Sequence, residues 1–320
     1  MRAVHLRRTV LCLLLLTLLA GCGAPMAKTE TLAPQSPAEE AVPAAAPVAA
    51  ETPAPAPQAP PSETPAPEPE REKLPKICID PGHYAGINCS PEPESWGYCE
   101  GDFNLRVALA LQRILAERYG IESCLTRTGG SISIGGYTDR ELDGSHLSLR
   151  GRYAEEMGCD LFISLHTNGN QDDVNDSPTW LQPLSITKTV VIVNLPCRDS
   201  ERWLGVANAI GAQVTAVNNR LEIADGRAFV PVTADTVPEW TDEWNDSATL
   251  PGSVFCRLRD GEDYYSVLHG AAEVGVPGMI VEHGFHTVAE MRRLAATGDL
   301  AELWAEADAA GIAAGLGLHE

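Results

Sequence analysis

Asp160-Leu161-Phe162-Ile163-Ser164-Leu165-His166 is the run on which the fold turns. An acid opens it, apolar residues fill it and a histidine ends it. Near-continuous apolarity over so short a span suits a strand covered on both faces, the habit of strands inside α/β sheets. Comparable runs lie to either side. Residues 76–80 (KICID) stop at Pro81-Gly82, and 121–127, 189–194 and 278–282 also read as strands. The intervals carry helical spacing. In 102–119, Phe103, Val107, Ala110, Leu111, Ile114 and Leu115 fall near one face, and Gly120 closes the helix. Further helices are expected over 147–158, 200–217 and 264–274, and one or two over 288–316. Strands alternating with helices predict an α/β sheet. Two stretches interrupt the alternation: a Gly/Ser/Asp-rich insertion at 129–145, and 219–260, expected to hold loops and short strands.

The amino-terminal quarter has a different composition. Of 24 prolines in the chain, 13 lie between Pro25 and Pro69, in a stretch without aromatic residues. Such a segment cannot bury enough apolar surface to offset its ordering entropy, so a disordered Pro/Ala/Glu-rich spacer is expected over 22–75. Ahead of it, Arg2, Arg7 and Arg8 precede an apolar run from Val10 to Ala20. That run is about half the roughly 20 residues a membrane span needs, so 1–21 reads as an export signal. Its end, Leu19-Ala20-Gly21-Cys22, resembles the lipobox of bacterial lipoproteins, which implies lipidation of Cys22. The expected location is therefore outside the cytoplasm, lipid-anchored to the outer face of the bacterial cell membrane, or periplasmic or outer-membrane in a cell with two membranes. What remains, 76–320, suits one α/β domain with a sizeable core. A formal charge of −21 argues against nucleic acid as a partner. No G-x-G-x-x-G and no G-x-x-x-x-G-K-[ST] occurs.

Open α/β sheets bind ligands beyond the carboxyl ends of their strands. Three expected strands end in a metal ligand or base: Asp80-Pro81-Gly82-His83, Ser164-Leu165-His166 and Val281-Glu282. Glu100 stands two residues before the expected first helix, with Asp102 as its cap. Two neutral imidazoles and one carboxylate form a ligand set for catalytic zinc that leaves a fourth position for water. A further carboxylate can then take that water's proton.

Taken together, these residues resemble the zinc-dependent N-acetylmuramoyl-L-alanine amidases of the Amidase_3 type. Asp80-Pro81-Gly82-His83 resembles that family's D-P-G-H, and Glu100 to Leu105 its E-x-x-x-N-L. Asp160 to Asn168 resembles D-L-F-I-S-[IL]-H-x-N, and Val281-Glu282-His283-Gly284-Phe285 the late V-E-x-G-F. Leu125-Thr126-Arg127 and Arg150 fit as well. The resemblance implies a central mixed, mostly parallel sheet flanked by helices, with one zinc ion held by His83, Glu100 and His166 and with Glu282 as catalytic base. The implied reaction hydrolyses the amide between the lactyl group of N-acetylmuramic acid and L-alanine in peptidoglycan. Asn168 and Arg150 are candidate substrate contacts, Arg150 either orienting a stem-peptide carboxylate or pairing with a structural acid. The alternatives are a cell-wall metallo-endopeptidase and a non-catalytic wall-binding lipoprotein of the same fold. The membrane enters as a partner only through the amino-terminal lipid.

The chain departs from the family at Tyr84-Ala85-Gly86, where glycines are usual, and in an enlarged loop 84–99 that brings Glu92, Glu94 and Trp96 towards the metal. His283 and His286 are expected as cleft walls, His269 as partly buried and His146 as solvated. The run Asp172-Asp173-Val174-Asn175-Asp176 lacks the Gly and distal Glu of a calcium loop and reads as solvated. Cys89 and Cys99 flank a Pro/Glu/Ser-rich loop and are the best disulfide candidates. Cys78, Cys124 and Cys159 sit in or beside apolar runs, where cysteine serves as a small core residue.

Overall fold

The computed structural model describes residues 73–90, 96–169, 188–239, 253–297 and 299–318. The export signal, Cys22, nearly all of the spacer, Glu92, Glu94 and the Asp172–Asp176 run lie outside the described residues.

In chain order the elements are β1 (Ile77–Pro81), α1 (Glu100–Ile114) with a π-helical turn at Leu115–Tyr119, β2 (Ser123–Leu125), and the hairpin β3 (Ser133–Ile134) and β4 (Tyr137–Thr138). Then come α2 (Asp139–Leu142), α3 (Ser148–Glu156), β5 (Leu161–Asn168), β6 (Val190–Val193), α4 (Leu195–Arg198) and α5 (Glu201–Arg220). Two-residue strands β7 (Val254–Phe255), β8 (Leu258–Arg259) and β9 (Glu262–Asp263) precede α6 (Ser266–Glu273), β10 (Gly278–Phe285), α7 (Ala289–Thr297) and α8 (Asp299–Gly315). Among the described residues no helix is long and apolar enough to cross a membrane.

The main sheet has the order β2-β1-β5-β10-β6-β7. It is mixed and mostly parallel, with β10 against β6 as its antiparallel pair. The quoted run forms β5 in its centre. Its residues are apolar on both faces because both faces are covered. Ile77, Ile79, Leu161, Ile163, Leu165, Val191 and Val281 pack under Phe103, Val107, Leu111, Val214 and Trp304 of α1, α5 and α8. The alternate residues Cys78, Phe162, Ile192 and Ile280 pack under Ala154, Val267, Leu268 and Ala271 of α3 and α6. This two-residue alternation decides which side chains reach the site.

Two local expectations are corrected. The first helix begins at Glu100, not after it, and Cys99 is its N-cap residue. Asp102 therefore sits inside the first turn, where its carboxylate accepts the Gly86 N–H at 3.0 Å. The insertion 129–145 is an ordered unit. Ile132, Ile134 and Leu142 form a small core with Tyr84, Tyr137 and Leu149. The Ile132 N–H bonds the Asp139 carboxylate at 2.9 Å.

Candidate metal centre

Three adjacent strands, β1, β5 and β10, deliver the site at their carboxyl ends. Asp80 is the register partner of Ser164, and Glu282 of His166. Glu282, His166, Ser164 and Asp80 share the α3/α6 face by strand alternation. Asp80 is the buried foundation. Its carboxylate accepts from Thr126 Oγ1, Ser164 Oγ at 2.7 Å and Arg150 Nε at 3.0 Å. Burial alone would raise its pKa, but the Arg150 charge and the two hydroxyls hold it below the usual value.

His83 follows β1 in the left-handed region, at φ 61°. That conformation is costly for a non-glycine residue and persists where neighbours fix it. Here two guanidinium groups do so. Arg127 Nε donates to the His83 carbonyl at 2.9 Å, and Arg150 Nη2 to the Pro81 and His83 carbonyls at 2.7 and 3.2 Å. The backbone so held turns the His83 ring towards Glu100.

The donor atoms of His83, Glu100 and His166 all lie within 4.8 Å of one another. His83 Nε2 is 3.5 Å from Glu100 Oε2, and His166 Nδ1 is 3.2 Å from Glu100 Oε1. Glu100 is buried and receives the Thr167 N–H at 3.0 Å and Asn88 Nδ2 at 2.7 Å. The other edge of the His166 ring covers Gly82, where a Cβ would lie 2.3 Å from it. Only glycine admits the imidazole there. Two imidazoles and a buried carboxylate converging in this way fit a divalent metal of the zinc type, with donors preplaced and a supporting shell around them.

That shell contains a residue absent from the sequence expectations. Asp143, from the insertion, takes the His83 Nδ1–H at 2.9 Å. A carboxylate can only accept, so Nδ1 carries a proton and Nε2 is the nitrogen left to give up its own to a metal. Burial disfavours a charge on His83, but Asp143 and then Glu100 outweigh it and raise the pKa to about 10. Glu100 moves well downward, its burial overcome by hydrogen bonds from His166 and His83.

Glu282 opens partly to the cleft, yet its Oε2 is enclosed and has no hydrogen-bond partner. Burial, then the charge on Glu100, pushes it up to about 8, with His83 pulling the other way. The carboxyl stands between two hollows. One, of about 210 Å³, is lined by His83, Asn88, Glu100, His166, Asn168 and His286. The other, of about 260 Å³, adds Leu147, Tyr265, Val267 and Ile280 to His83, His166 and Glu282.

The remaining candidates fall as follows. Asn168 ends β5 beside the first hollow. Arg150 is 1% exposed and paired with Asp80 at 2.8 Å, so the structural acid, not a substrate carboxylate, is its partner. His283 is not a wall of the cleft. Neighbouring strand residues face opposite ways, so Glu282 in the site sends His283 behind it, against Asp308 at 2.8 Å and flat on Trp304. His286, past the bulge in β10, does line the cleft and meets Thr167 Oγ1 at 3.0 Å. Trp96 is 47% exposed and lines a separate hollow with Tyr98, Phe103 and Arg106, away from the donors. Cys89 and Cys99 are joined by a disulfide. His269 is partly exposed between Glu262 and Glu273, and His146 stacks on Tyr137.

Comparison with known proteins adds three findings. Residues 77–221 match the family Amidase_3, described as N-acetylmuramoyl-L-alanine amidase. No curated protein matches. Among solved structures, the chain is similar to the CwlD amidase from Clostridioides difficile in complex with the GerS lipoprotein. The two are 17% identical over 76% of this chain and 98% of that one, with a TM-score of 0.50, a likeness of fold. The catalytic domain of CwlV, an N-acetylmuramoyl-L-alanine amidase from Bacillus (Paenibacillus) polymyxa var. colistinus, is 17% identical. It covers 77% of this chain and 100% of its own, at a TM-score of 0.49. The family match takes in His83, Glu100 and His166 and stops before Glu282. Through residues 77–221 the chain is thus similar to Amidase_3, the family described as N-acetylmuramoyl-L-alanine amidase.

Proposed function

We propose that the domain 76–320 is a zinc-dependent peptidoglycan amidase that cleaves between the lactyl group of N-acetylmuramic acid and L-alanine. We further propose that it works outside the cytoplasm on a lipid tether at Cys22. One observation carries the chemistry: His83, Glu100 and His166 present donors within 4.8 Å of one another, and the free carboxyl of Glu282 stands on the strand position next to His166.

His83 through Nε2, His166 through Nδ1 and Glu100 would hold the ion. When bound there, zinc supplies Lewis acidity, which polarises a carbonyl and makes water acidic near neutral pH. The chain's own residues do the rest. Asp143 keeps the proton on His83 Nδ1, so that ring stays a ligand. The Thr167 N–H and Asn88 hold the Glu100 carboxylate in one orientation. Glu282 receives a proton from the attacking water and returns it to the departing amide nitrogen. Its enclosure favours this shuttle, because a carboxyl pushed towards neutral pKa exchanges protons at working pH. The two hollows on either side of Glu282 suit a substrate that continues both ways from the scissile bond.

The test is digestion of purified peptidoglycan by the intact chain, with mass analysis of the products, with zinc and with chelator. Intact stem peptides bearing a free L-alanine amine, lost on chelation, are expected. Cross-link cleavage without that product would make the enzyme an endopeptidase. No product from a folded, zinc-loaded chain would leave a wall-binding lipoprotein.

A further inference from the structure

Three thiols meet on the α3/α6 face of the sheet, apart from the metal donors. Cys78 in β1 and Cys124 in β2 are register partners on adjacent strands, and Cys159 stands just before β5. Cys124 Sγ and Cys159 Sγ are 3.5 Å apart. Cys78 is fully buried and Cys159 nearly so, while Cys124 is partly open to solvent.

Packing alone explains buried cysteines such as Cys197, whose thiol is pushed up by burial. The trio differs. The adjacent Cys159 and Cys78 thiols, and the positive charge of Lys76, outweigh burial and pull the Cys124 thiol down, and Cys124 is the member of the trio open to solvent. Its two neighbours keep their protons. A metal is not the natural occupant: among the described residues the one group compact enough to hold an ion is His83, Glu100 and His166. A partly exposed thiolate with a second thiol beside it is instead the arrangement of cysteines that react with disulfides.

We propose that Cys124 and Cys159 form a thiol–disulfide exchange pair that reacts with small disulfides, Cys124 attacking and Cys159 resolving. The Cys124 thiolate attacks one sulfur of R–S–S–R, forming a mixed disulfide and expelling RS⁻. That thiolate takes the Cys159 proton and leaves as RSH. The Cys159 thiolate then attacks Cys124 Sγ, closing the Cys124–Cys159 bond and expelling the second RS⁻. Two protein thiols are oxidised, and one external disulfide is reduced to two thiols.

The local frame makes closure short. The Lys76 N–H bonds the Asp160 carboxylate at 2.8 Å and the Asp160 N–H bonds the Lys76 carbonyl at 2.8 Å, which fixes the lead into β5 against β1. Side-chain rotation must bring the sulfurs from 3.5 Å to the ~2.05 Å of a bond. The product would tie β2, a three-residue strand at the sheet edge, to the start of β5. β2 runs straight into Thr126 and Arg127, which hold Asp80 and the His83 carbonyl. Oxidation would therefore secure the clamp under the metal centre and raise the thermal midpoint. None of this depends on which bond the enzyme cleaves.

The experiment incubates the full chain with oxidised glutathione, quenches in acid, alkylates, digests without reductant and maps the peptides by mass. A Cys124–Cys159 link is expected beside Cys89–Cys99, with Cys197 and Cys256 still alkylated as thiols. Cys159→Ser should halt at glutathione on Cys124, and Cys124→Ser should take up none. Timed alkylation of the unmodified chain needs no variant. Cys124 should label at least tenfold faster than Cys78 or Cys159. The pairing is overturned by a link through Cys78, by a lasting mixed disulfide on Cys124 in the unmodified chain, or by no reaction at Cys124. Equal labelling of the three thiols overturns the attacking role.

Discussion

Glu282 and Asp143 govern the site through protons, and each makes a measurable claim. Replacing Glu282 by Gln keeps its shape and removes its basicity, so turnover should fall by about 10²–10⁴ with zinc affinity little changed. Stability should change in the opposite sense. In the metal-free protein the Glu282 pKa is raised from 4.5 to about 8. A raised carboxyl contributes stability that is full below the unfolded value and lost as pH rises through the folded one. The metal-free protein should therefore lose stability between pH 4.5 and about 8 relative to Glu282→Gln, a difference readable from urea melts of the two at matched pH. Parallel curves would mean that Glu282 is solvated. Asp143→Asn removes the acceptor that orients His83. Loss of such a partner costs about 10–100-fold in metal affinity. The same change lowers the hold of His83 on its own proton, now raised to about 10, so protons compete less. The two effects oppose each other at low pH. Chelator competition should show the variant's deficit shrinking as pH falls from 9 to 6, whereas a merely structural Asp143 would give a constant deficit.

At the scale of elements, the crossing of α3 and α6 sets where Arg150 and Val267 stand. It depends on contact closer than side chains permit. A Cβ on Gly270 would lie 2.0 Å from the Ser148 carbonyl oxygen, and one on Gly151 2.0 Å from the Val267 carbonyl oxygen. Both obstacles are backbone and cannot turn aside. Gly270→Ala should destabilise by roughly 1–3 kcal/mol or more, as overpacking does. Gly205→Ala in α5 is the control: its nearest neighbour would be 4.0 Å away, so the usual helical preference should stabilise it by about 0.5–1 kcal/mol. Denaturant midpoints moving in opposite directions would establish the crossing as the cause; a loss in both would not. Elements and donors were legible in the sequence because each is local. Apolar runs marked β1, β5, β6 and β10; His166 and Glu282 lie in the carboxyl-terminal halves of their strands and His83 just past its own. The strand period also places His283 opposite Glu282, a consequence the motif obscured by setting the two side by side. Asp143 was hidden for another reason. It meets His83 across 60 residues, from an insertion whose composition suggested loop, and no periodicity encodes that contact. Arg150 posed the same difficulty, since its choice between substrate and Asp80 depends on a pairing 70 residues away.

Across the whole molecule, charge and tether constrain how the enzyme reaches its substrate. A chain with net charge −21 is repelled by anionic wall polymers, so electrostatic capture cannot hold it at the wall. Attachment must then come from elsewhere, and Cys22 with the proline-rich spacer is the proposed source. With the extended conformation that its proline-rich composition predicts, a spacer of about 50 residues would reach on the order of 150 Å at ~3.1 Å per residue. One lipid chain binds only marginally, and stable anchoring takes a second hydrophobic chain or a basic patch. The acidic sequence provides no such patch, so under the proposed tethering the lipid group alone would carry the affinity. Cys22→Ser should accordingly move the protein from the membrane to the soluble fraction with its rate on isolated peptidoglycan unchanged. High salt should leave the unmodified protein in the membrane fraction, while detergent releases it. Release by salt would point to an ionic partner, and retention of Cys22→Ser would place the anchor in the uncleaved apolar segment. Removing half of the spacer while keeping Cys22 separates reach from attachment. The shortened protein should stay in the membrane fraction and digest isolated peptidoglycan normally, yet release less stem peptide from intact cells. Equal release from cells would show that reach does not limit the enzyme.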